Sequence, residues 1–175
     1  NPVAGGKKNL TITAKVSGNN ATVTAQLIGT TINLQKKQDI NSTTALYEGV
    51  FELNFTLAPS NYTIEANAAS QGEQATATVS FDWLVLTAFE LDSSALKLNV
   101  QPGATTTMSG DSDFSTKGKP TIRNIGNTII NIALASPGFM IGNASTKISA
   151  ANIRASFDSG GSFNSTLAKT LASTL

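Results

Sequence analysis

The sequence feature that most constrains the fold is a strict alternation of apolar and polar residues between Gly49 and Ser70. Every second residue is apolar on both sides of a Pro-Ser-Asn segment, namely Phe51, Leu53, Phe55 and Leu57 before it and Tyr62, Ile64, Ala66 and Ala68 after it. A period of two places one side of a β-strand in a core and the other in water. The alternation predicts two strands that form an antiparallel hairpin around Pro59-Ser60-Asn61.

The same period recurs elsewhere in the chain. Apolar residues alternate with Thr, Ser, Gln or Lys over residues 10–16, 21–27 and 75–83, with turn residues between the segments. In the second half, shorter apolar segments are separated by Pro-Gly and Asn-rich turns, and no long amphipathic helix is indicated. Strands at this spacing predict an all-β protein made of antiparallel sandwiches.

A change of pattern at Trp83-Leu84-Val85-Leu86 predicts a domain boundary. These four consecutive apolar residues are typical of a strand buried on both faces. The junction contains no glycine, so we expect it to be stiff. We predict two sandwich domains in tandem, residues 1–83 and 84–175. The second has no strand to close it after Phe163, so we expect a strand from a neighbouring subunit to complete it.

Composition excludes several classes of function. Charged residues make up 13% of the chain and the net charge is +1, so no footprint for nucleic acid is present. The absence of Cys and His removes thiolate metal sites, disulfides and the commonest general base. We therefore predict no catalytic residue, no metal and no cofactor. No apolar run has the length of a membrane span.

Acceptor sequences for N-glycosylation are the strongest motif. Asn-x-Ser/Thr occurs seven times, at Asn9, Asn20, Asn41, Asn54, Asn61, Asn143 and Asn164. Those within predicted strands have outward parity and the others lie in predicted loops, where a sugar can be accommodated. The sequence therefore predicts covalent N-glycans and an extracellular location. A chain that starts at Asn1 is consistent with a secreted protein whose signal peptide has been removed, although a shortened chain would look the same.

Three other patterns suggest chemistry but favour simpler interpretations. Asp158-Ser159-Gly160-Gly161 copies part of a serine-protease motif, yet no His is available to take the proton. Asp111-Ser112-Asp113 offers two carboxylates for calcium without the spacing of a calcium loop. Glu52 and Glu65 are a candidate carboxylate pair across the predicted hairpin, but they lie on an exposed face with no apolar pocket around them.

Two segments resemble a known group of proteins. Pro59 to Ala66 resembles the Pro-x-x-Tyr-Thr strand entry of immunoglobulin-like modules in prokaryotic surface proteins. Val100-Gln101-Pro102-Gly103, followed by Ile122 to Asn127, resembles a turn pattern of β-sandwich modules in archaeal surface proteins. The resemblance implies two immunoglobulin-like sandwiches in an archaeal S-layer, sheath or surface-filament subunit.

The function expected from these observations is structural. We expect a non-catalytic subunit of a glycosylated archaeal surface filament, a head-to-tail homopolymer that grows by strand donation. An S-layer or sheath component and an adhesive or sugar-binding module are the alternatives. The candidate donor is residues 10–16 or the arm of residues 2–8 ahead of them, and the competing possibility is that residues 10–16 belong to their own domain.

Overall fold

The computed structural model describes residues 1–18, 20–101, 103–135, 139–141, 147–157 and 166–171. The chain divides into two compact units, one formed by Asn1–Ala88 with Ile125–Ile129 and the other by Phe89–Asn124 with Ile130–Leu175. We call them unit 1 and unit 2. The predicted domains 1–83 and 84–175 stay a prediction.

Unit 1 is built on one curled, antiparallel sheet of six strands that forms half of a barrel. The strands are β1 (Lys7–Ser17), β2 (Thr22–Leu27), β3 (Thr30–Asp39), β4 (Thr44–Asn54), β5 (Ser60–Ser70) and β6 (Glu73–Trp83). Their order across the sheet is β1-β4-β3-β2-β5-β6, so β1 and β6 are the edges.

The inner, concave face of this sheet carries the core. Its buried members are Ile12, Val23, Ala25, Leu27, Leu34, Ala45, Tyr47, Phe51, Leu53, Ile64 and Trp83. In β2 and β4 they occupy alternate positions, and in β1 and β5 the single core residue, Ile12 or Ile64, has half-buried apolar residues two positions away on either side. This pattern arises because successive side chains of a strand point to opposite faces. The period of two therefore predicted the inner face of these strands correctly.

The predicted hairpin between the two strands of Gly49 to Ser70 is wrong. β4 pairs with β1 and β3, while β5 pairs with β2 and β6. Alternation identifies the buried face of a strand and carries no information about its neighbour. Residues 55–59 instead cross from one part of the sheet to another, and they are fixed by two side chains: Trp83 Nε1 donates to the Leu57 carbonyl at 3.1 Å and Tyr62 Oη to the Ala58 carbonyl at 2.8 Å.

The tight hairpins of unit 1 lie elsewhere, at two-residue turns. Ile28-Gly29 joins β2 to β3, with φ of 51° and 73°, and Gln71-Gly72 joins β5 to β6, with φ of 52° and 88°. Positive φ at both central residues is the type I′ geometry that matches the twist of antiparallel strands. The Gln71-Gly72 turn was predicted from its composition.

Residues 125–129 return to unit 1 and bind the segment that follows β6. Asn127 Oδ1 accepts from the Leu86 backbone N–H at 2.6 Å, and Asn127 Nδ2 donates to the Leu84 carbonyl at 2.9 Å. A Cβ at Gly126 would lie 2.2 Å from the Leu86 carbonyl oxygen, so only glycine permits this approach. The Asn-Ile-Gly-Asn motif, predicted as a hairpin loop, thus fixes residues 84–88.

The described part of unit 2 contains three short antiparallel pairs. β7 (Phe89–Leu91) pairs with β8 (Ile122–Asn124), β9 (Phe139–Ile141) with β10 (Lys147–Ser149), and β11 (Arg154–Ala155) with β12 (Lys169–Thr170). A single 3₁₀ turn, Ala150–Asn152, follows β10. Within the described ranges no α-helix occurs in either unit, and the prediction of an all-β protein is confirmed.

Few residues of unit 2 are buried. Among those whose exposure is described, only Ala150 and Ala168 are, at 4% and 6% exposure. Others, such as Ile130 and Ile153, are half-buried, and seven large apolar side chains are exposed, at Phe89, Leu91, Leu96, Val100, Leu134, Phe157 and Leu167. The described part of unit 2 therefore has no packed apolar core of the kind found in unit 1.

Truncation of Phe51 tests the face assignment of β4. Phe51 is 5% exposed, so we expect Phe51→Ala to lower the free energy of unfolding by about 3–5 kcal/mol. Val50, its neighbour on the outer face, is 49% exposed, and Val50→Ala should cost under about 1 kcal/mol. Urea unfolding curves of the two variants measure the difference, and equal losses would mean that the register of β4 is wrong.

Gly126→Ala tests the contact with residues 84–88. The added methyl group collides with backbone, which cannot move aside like a side chain, so we expect a loss of about 1–3 kcal/mol. Gly118→Ala is the matched control, because a Cβ at Gly118 meets nothing within 4 Å. A thermal melt of Gly126→Ala indistinguishable from that of Gly118→Ala would contradict the close approach.

Candidate glycosylation sites and sheet edges

The structure exposes every predicted acceptor asparagine that it describes. Asn9 lies on β1, Asn54 ends β4 and Asn61 lies on β5, all with the outward parity of their strands. Asn20 precedes β2, and Asn41 lies between β3 and β4. The hydroxyl residue two positions later is also exposed in each case. Solvent exposure of both residues is what modification of a folded chain requires; occupancy stays a prediction.

Two of these sequons are folded in the same local turn. Asn41 Oδ1 accepts from the Thr43 backbone N–H at 2.9 Å and from Thr43 Oγ1 at 3.1 Å. Asn54 Oδ1 does the same with Thr56, at 3.1 and 3.2 Å. Such Asx turns form because a short amide side chain can replace a backbone acceptor. In both turns the oxygen makes these bonds, and the amide nitrogen, the atom that carries the sugar, takes no part in them.

Asn61 differs because its amide nitrogen has a partner. Asn61 Nδ2 donates to Asp82 Oδ1 at 2.8 Å, across the pair of strands β5 and β6. Attachment of a sugar removes one of the two amide protons and leaves the other to donate. The contact with Asp82 is therefore compatible with a glycan at Asn61.

The two remaining predicted sites, Asn143 and Asn164, lie outside the described residues, as does Asp158-Ser159-Gly160-Gly161. They stay predictions.

The candidate carboxylate pair is not brought together. β3 and β2 separate β4, which carries Glu52, from β5, which carries Glu65. Glu52 forms an exposed ion pair with Lys7 at 2.6 Å, and Glu65 accepts from Asn67 Nδ2 at 2.9 Å. These contacts give the two carboxylates structural partners on different strands.

The carboxylates of Asp111-Ser112-Asp113 are bound by the chain itself. The Ser115 hydroxyl and backbone N–H donate to Asp113 and hold the pKa of its carboxyl below the usual value. Lys119 Nζ lies 3.8 Å from Asp111 Oδ2. Over the described residues no group of three acidic side chains has the geometry of a metal site. The solvated-loop interpretation fits these contacts.

Aromatic side chains do not form an exposed platform on unit 1. Trp83 and Tyr47 are buried at 4% and 3% exposure, and Tyr62 is half-buried against Phe81, with ring centroids 5.9 Å apart. Sugar-binding sites usually stack the sugar on an exposed aromatic face, so the site expected of an adhesive module has no support from these residues.

The two edge strands of the sheet are a feature that the sequence analysis did not identify. β1 and β6 have 11 residues each. In the part of the chain that is described, neither pairs with a further strand on its outer side. β6 is also uncovered over the first part of its inner face, since Ala75 and Ala77 are exposed and Val79 is 60% exposed, whereas Phe81 is half-buried and Trp83 is buried. The available signal was composition, because residues 73–83 contain no Lys, Pro or Gly, the residues that usually protect an edge.

Comparison with protein-family models, with curated proteins and with solved structures finds no match. None of the helical structure among the described residues is long and apolar enough to cross a membrane. The function is therefore argued from the exposed sequons, the unpaired edges and the uncovered apolar residues of unit 2.

Glycosylation is tested by the intact mass of the protein from its native source. We expect a mass above the 18.1 kDa of the chain by several glycans, because all five described acceptors are exposed. Asn9→Gln should remove one glycan and change the stability of the fold by under about 0.5 kcal/mol, because Asn9 is exposed on the outer face of β1.

The matched control for this test is Asn33→Gln, an exposed asparagine outside any sequon, which should leave the glycan mass unchanged. A native mass equal to that of the bare chain would defeat the prediction.

Proposed function

We propose that the protein is a non-catalytic structural subunit of a glycosylated extracellular archaeal assembly, and that the assembly is a surface filament of identical copies. The observation that carries the proposal is the set of large apolar side chains that unit 2 leaves exposed, from Phe89 to Leu167. Five of them line one open cavity, namely Leu91, Leu96, Val100, Leu134 and Phe157, and exposed apolar surface of this kind marks sites of protein association. A neighbouring copy of the same chain is the partner that the proposal assigns to it.

The exposed sequons support the extracellular part of the proposal. The asparagines lie on the outer face of unit 1 or in its loops, away from the core residues. Because only 13% of residues are charged, solubility depends on Thr, Ser and Asn, and covalent sugars would extend this polar surface. The archaeal origin rests on the resemblance of Pro59 to Ala66 and of the Pro-Gly and Asn-Ile-Gly-Asn turns to archaeal surface modules.

Strand donation is the mode of assembly within this proposal. A strand entering a neighbour supplies main-chain hydrogen bonds and apolar side chains together. The finer fold belongs to the same proposal: two immunoglobulin-like sandwiches, of which unit 2 becomes complete only in the polymer.

The candidate donor strand, β1, is paired within its own subunit. β1 pairs along its whole length with β4, from Lys7 opposite Asn54 to Ser17 opposite Thr44. The arm ahead of it is also bound, since the Gly5 N–H donates to the Ile125 carbonyl at 2.9 Å. This is the competing possibility that the sequence analysis kept open. Donation of β1 therefore requires exchange, in which β1 leaves its own β4 and pairs in a neighbour.

A disulfide trap tests exchange of β1, and the absence of native Cys makes it specific. Thr13 lies opposite Glu48 on β4, and facing residues of antiparallel strands are within the Cα distance of a disulfide. Donation of β1 predicts that oxidised Thr13→Cys/Glu48→Cys protein remains monomeric, because the disulfide holds β1 on its own subunit, and that it polymerises after reduction. Non-reducing gels and electron microscopy measure this.

Thr13→Cys alone is the control for the trap, since it cannot form the intramolecular bond. Filaments that form equally well from fully oxidised double variant would rule out donation of β1.

A further inference from the structure

The two edges of the six-stranded sheet carry opposite charge. The charged residues of β1 are Lys7, Lys8 and Lys15, with no acid among them. Those of β6 are Glu73 and Asp82, with no base among them. Pairing of two β6 edges would bring acids together, and pairing of two β1 edges would bring lysines together. Only pairing of β6 with β1 opposes unlike charges.

We propose that β6 of one copy pairs with β1 of the next copy, so that the six-stranded sheets join into one continuous sheet. The occupant of each free edge is a second copy of this chain. The inference rests on the proposed assembly of identical subunits and replaces donation of β1, because β1 stays paired with its own β4 and presents its outer edge to the next copy. Filaments that form from the oxidised disulfide variant would therefore fit this contact and exclude donation of β1.

The direction of the strands supports this contact. All neighbours in the sheet are antiparallel and the sheet has six strands, so β1 and β6 run in opposite directions. A second copy can therefore add its β1 antiparallel to β6 while keeping the orientation of the first. A head-to-tail contact of this kind leaves a new β6 edge free at each step, so it gives a filament unless the rotation between copies closes a ring, and electron microscopy distinguishes the two.

The alternation of side chains limits which residues of β6 can lie opposite which residues of β1. The inner face of β6 carries odd-numbered residues, including Trp83, and the inner face of β1 carries even-numbered residues, including Ile12. To keep both inner faces on one side, an odd residue of β6 must lie opposite an even residue of β1. Of the registers that satisfy this rule, the one that pairs Asp82 with Lys7 opposes unlike charges directly.

Several further pairs in this register are complementary, whereas Glu73 lies opposite Val16 and Phe81 opposite Lys8. On the outer face Thr78 lies opposite Thr11 and Thr76 opposite Thr13, and Thr–Thr pairs are favourable across antiparallel strands. On the inner face the exposed Val79 lies opposite Leu10. The apolar row of β1 thus continues the row that β6 leaves uncovered. A glycan at Asn9 would not obstruct the contact, because side chains stand roughly perpendicular to a sheet.

Charge reversal on each edge tests the contact. The β6 variant is Glu73→Lys/Asp82→Lys, and the β1 variant is Lys7→Glu/Lys15→Glu. All four side chains are exposed and the Lys7–Glu52 ion pair has side-chain exposures of 60% and 56%, so each variant should fold. The control is Asp39→Lys/Glu65→Lys, which makes the same charge change as the β6 variant on β3 and β5, inside the sheet. Circular dichroism melts check folding, and sedimentation velocity with electron microscopy measures polymer.

We expect the wild-type chain and the control to polymerise and each edge variant alone to form about tenfold less polymer, because like charges then meet at every junction. An equimolar mixture of the two edge variants should recover the wild-type amount, since both kinds of junction in an alternating polymer are again complementary. Recovery in the mixture is the result that a merely unfolded or insoluble variant cannot give.

Edge variants that polymerise like the wild-type chain, or a mixture that fails to recover, would overturn the contact while leaving the proposed function standing. A wild-type chain that remains monomeric would overturn the proposed function, and the contact with it.

Discussion

Burial of the inner face of the six-stranded sheet is the interaction on which the rest of unit 1 depends. It is strongest in the middle strands, where Val23 and Leu34 are 2% and 4% exposed, and complete burial of such a side chain contributes about 1.5–3 kcal/mol. Burial decreases toward β6, whose only buried residue is Trp83. The sheet is thus held from its centre, and an edge strand remains ordered through its hydrogen bonds to β5 while its apolar side chains stay in contact with water.

The strand faces could be predicted from the sequence, and the strand neighbours could not. Parity is a local property: Phe51 and Leu53 are buried because they lie two residues apart on one strand. The partner of β4 is decided by contacts with β1 and β3, and the Pro-Ser-Asn segment that resembled a hairpin turn is part of a crossing fixed by Trp83. The part of Asn127 was missed for the same reason, because its hydrogen bonds reach Leu84 and Leu86, about forty residues earlier.

The candidate sites show the same difference between features that depend on the parity of one strand and features that depend on the strand order. Exposure of the acceptor asparagines was predictable, since it needs only the parity of the residue or its place in a loop. Whether Glu52 and Glu65 face each other could not be predicted, since that depends on the strand order. The free edges could not be derived from parity either. Once β6 is known to be an edge, its lack of Lys, Pro and Gly gains meaning, because in a central strand the same composition would be ordinary.

Glycans on the outer face would affect association perpendicular to the sheet, whereas the free edges affect association within the plane of the sheet. The outer face of the sheet has a uniform composition, with repeated Thr side chains. Two such faces could stack as sheets do in fibrils. Asn9, Asn54 and Asn61 stand on this face, so sugars attached there would project perpendicular to the strands and keep the outer faces of two copies apart. The edges lie in the plane of the sheet and remain accessible to backbone pairing. If the sheet carries these glycans and joins through its edges as proposed, its association would be restricted to one dimension, which is the condition for a filament to form instead of an irregular aggregate.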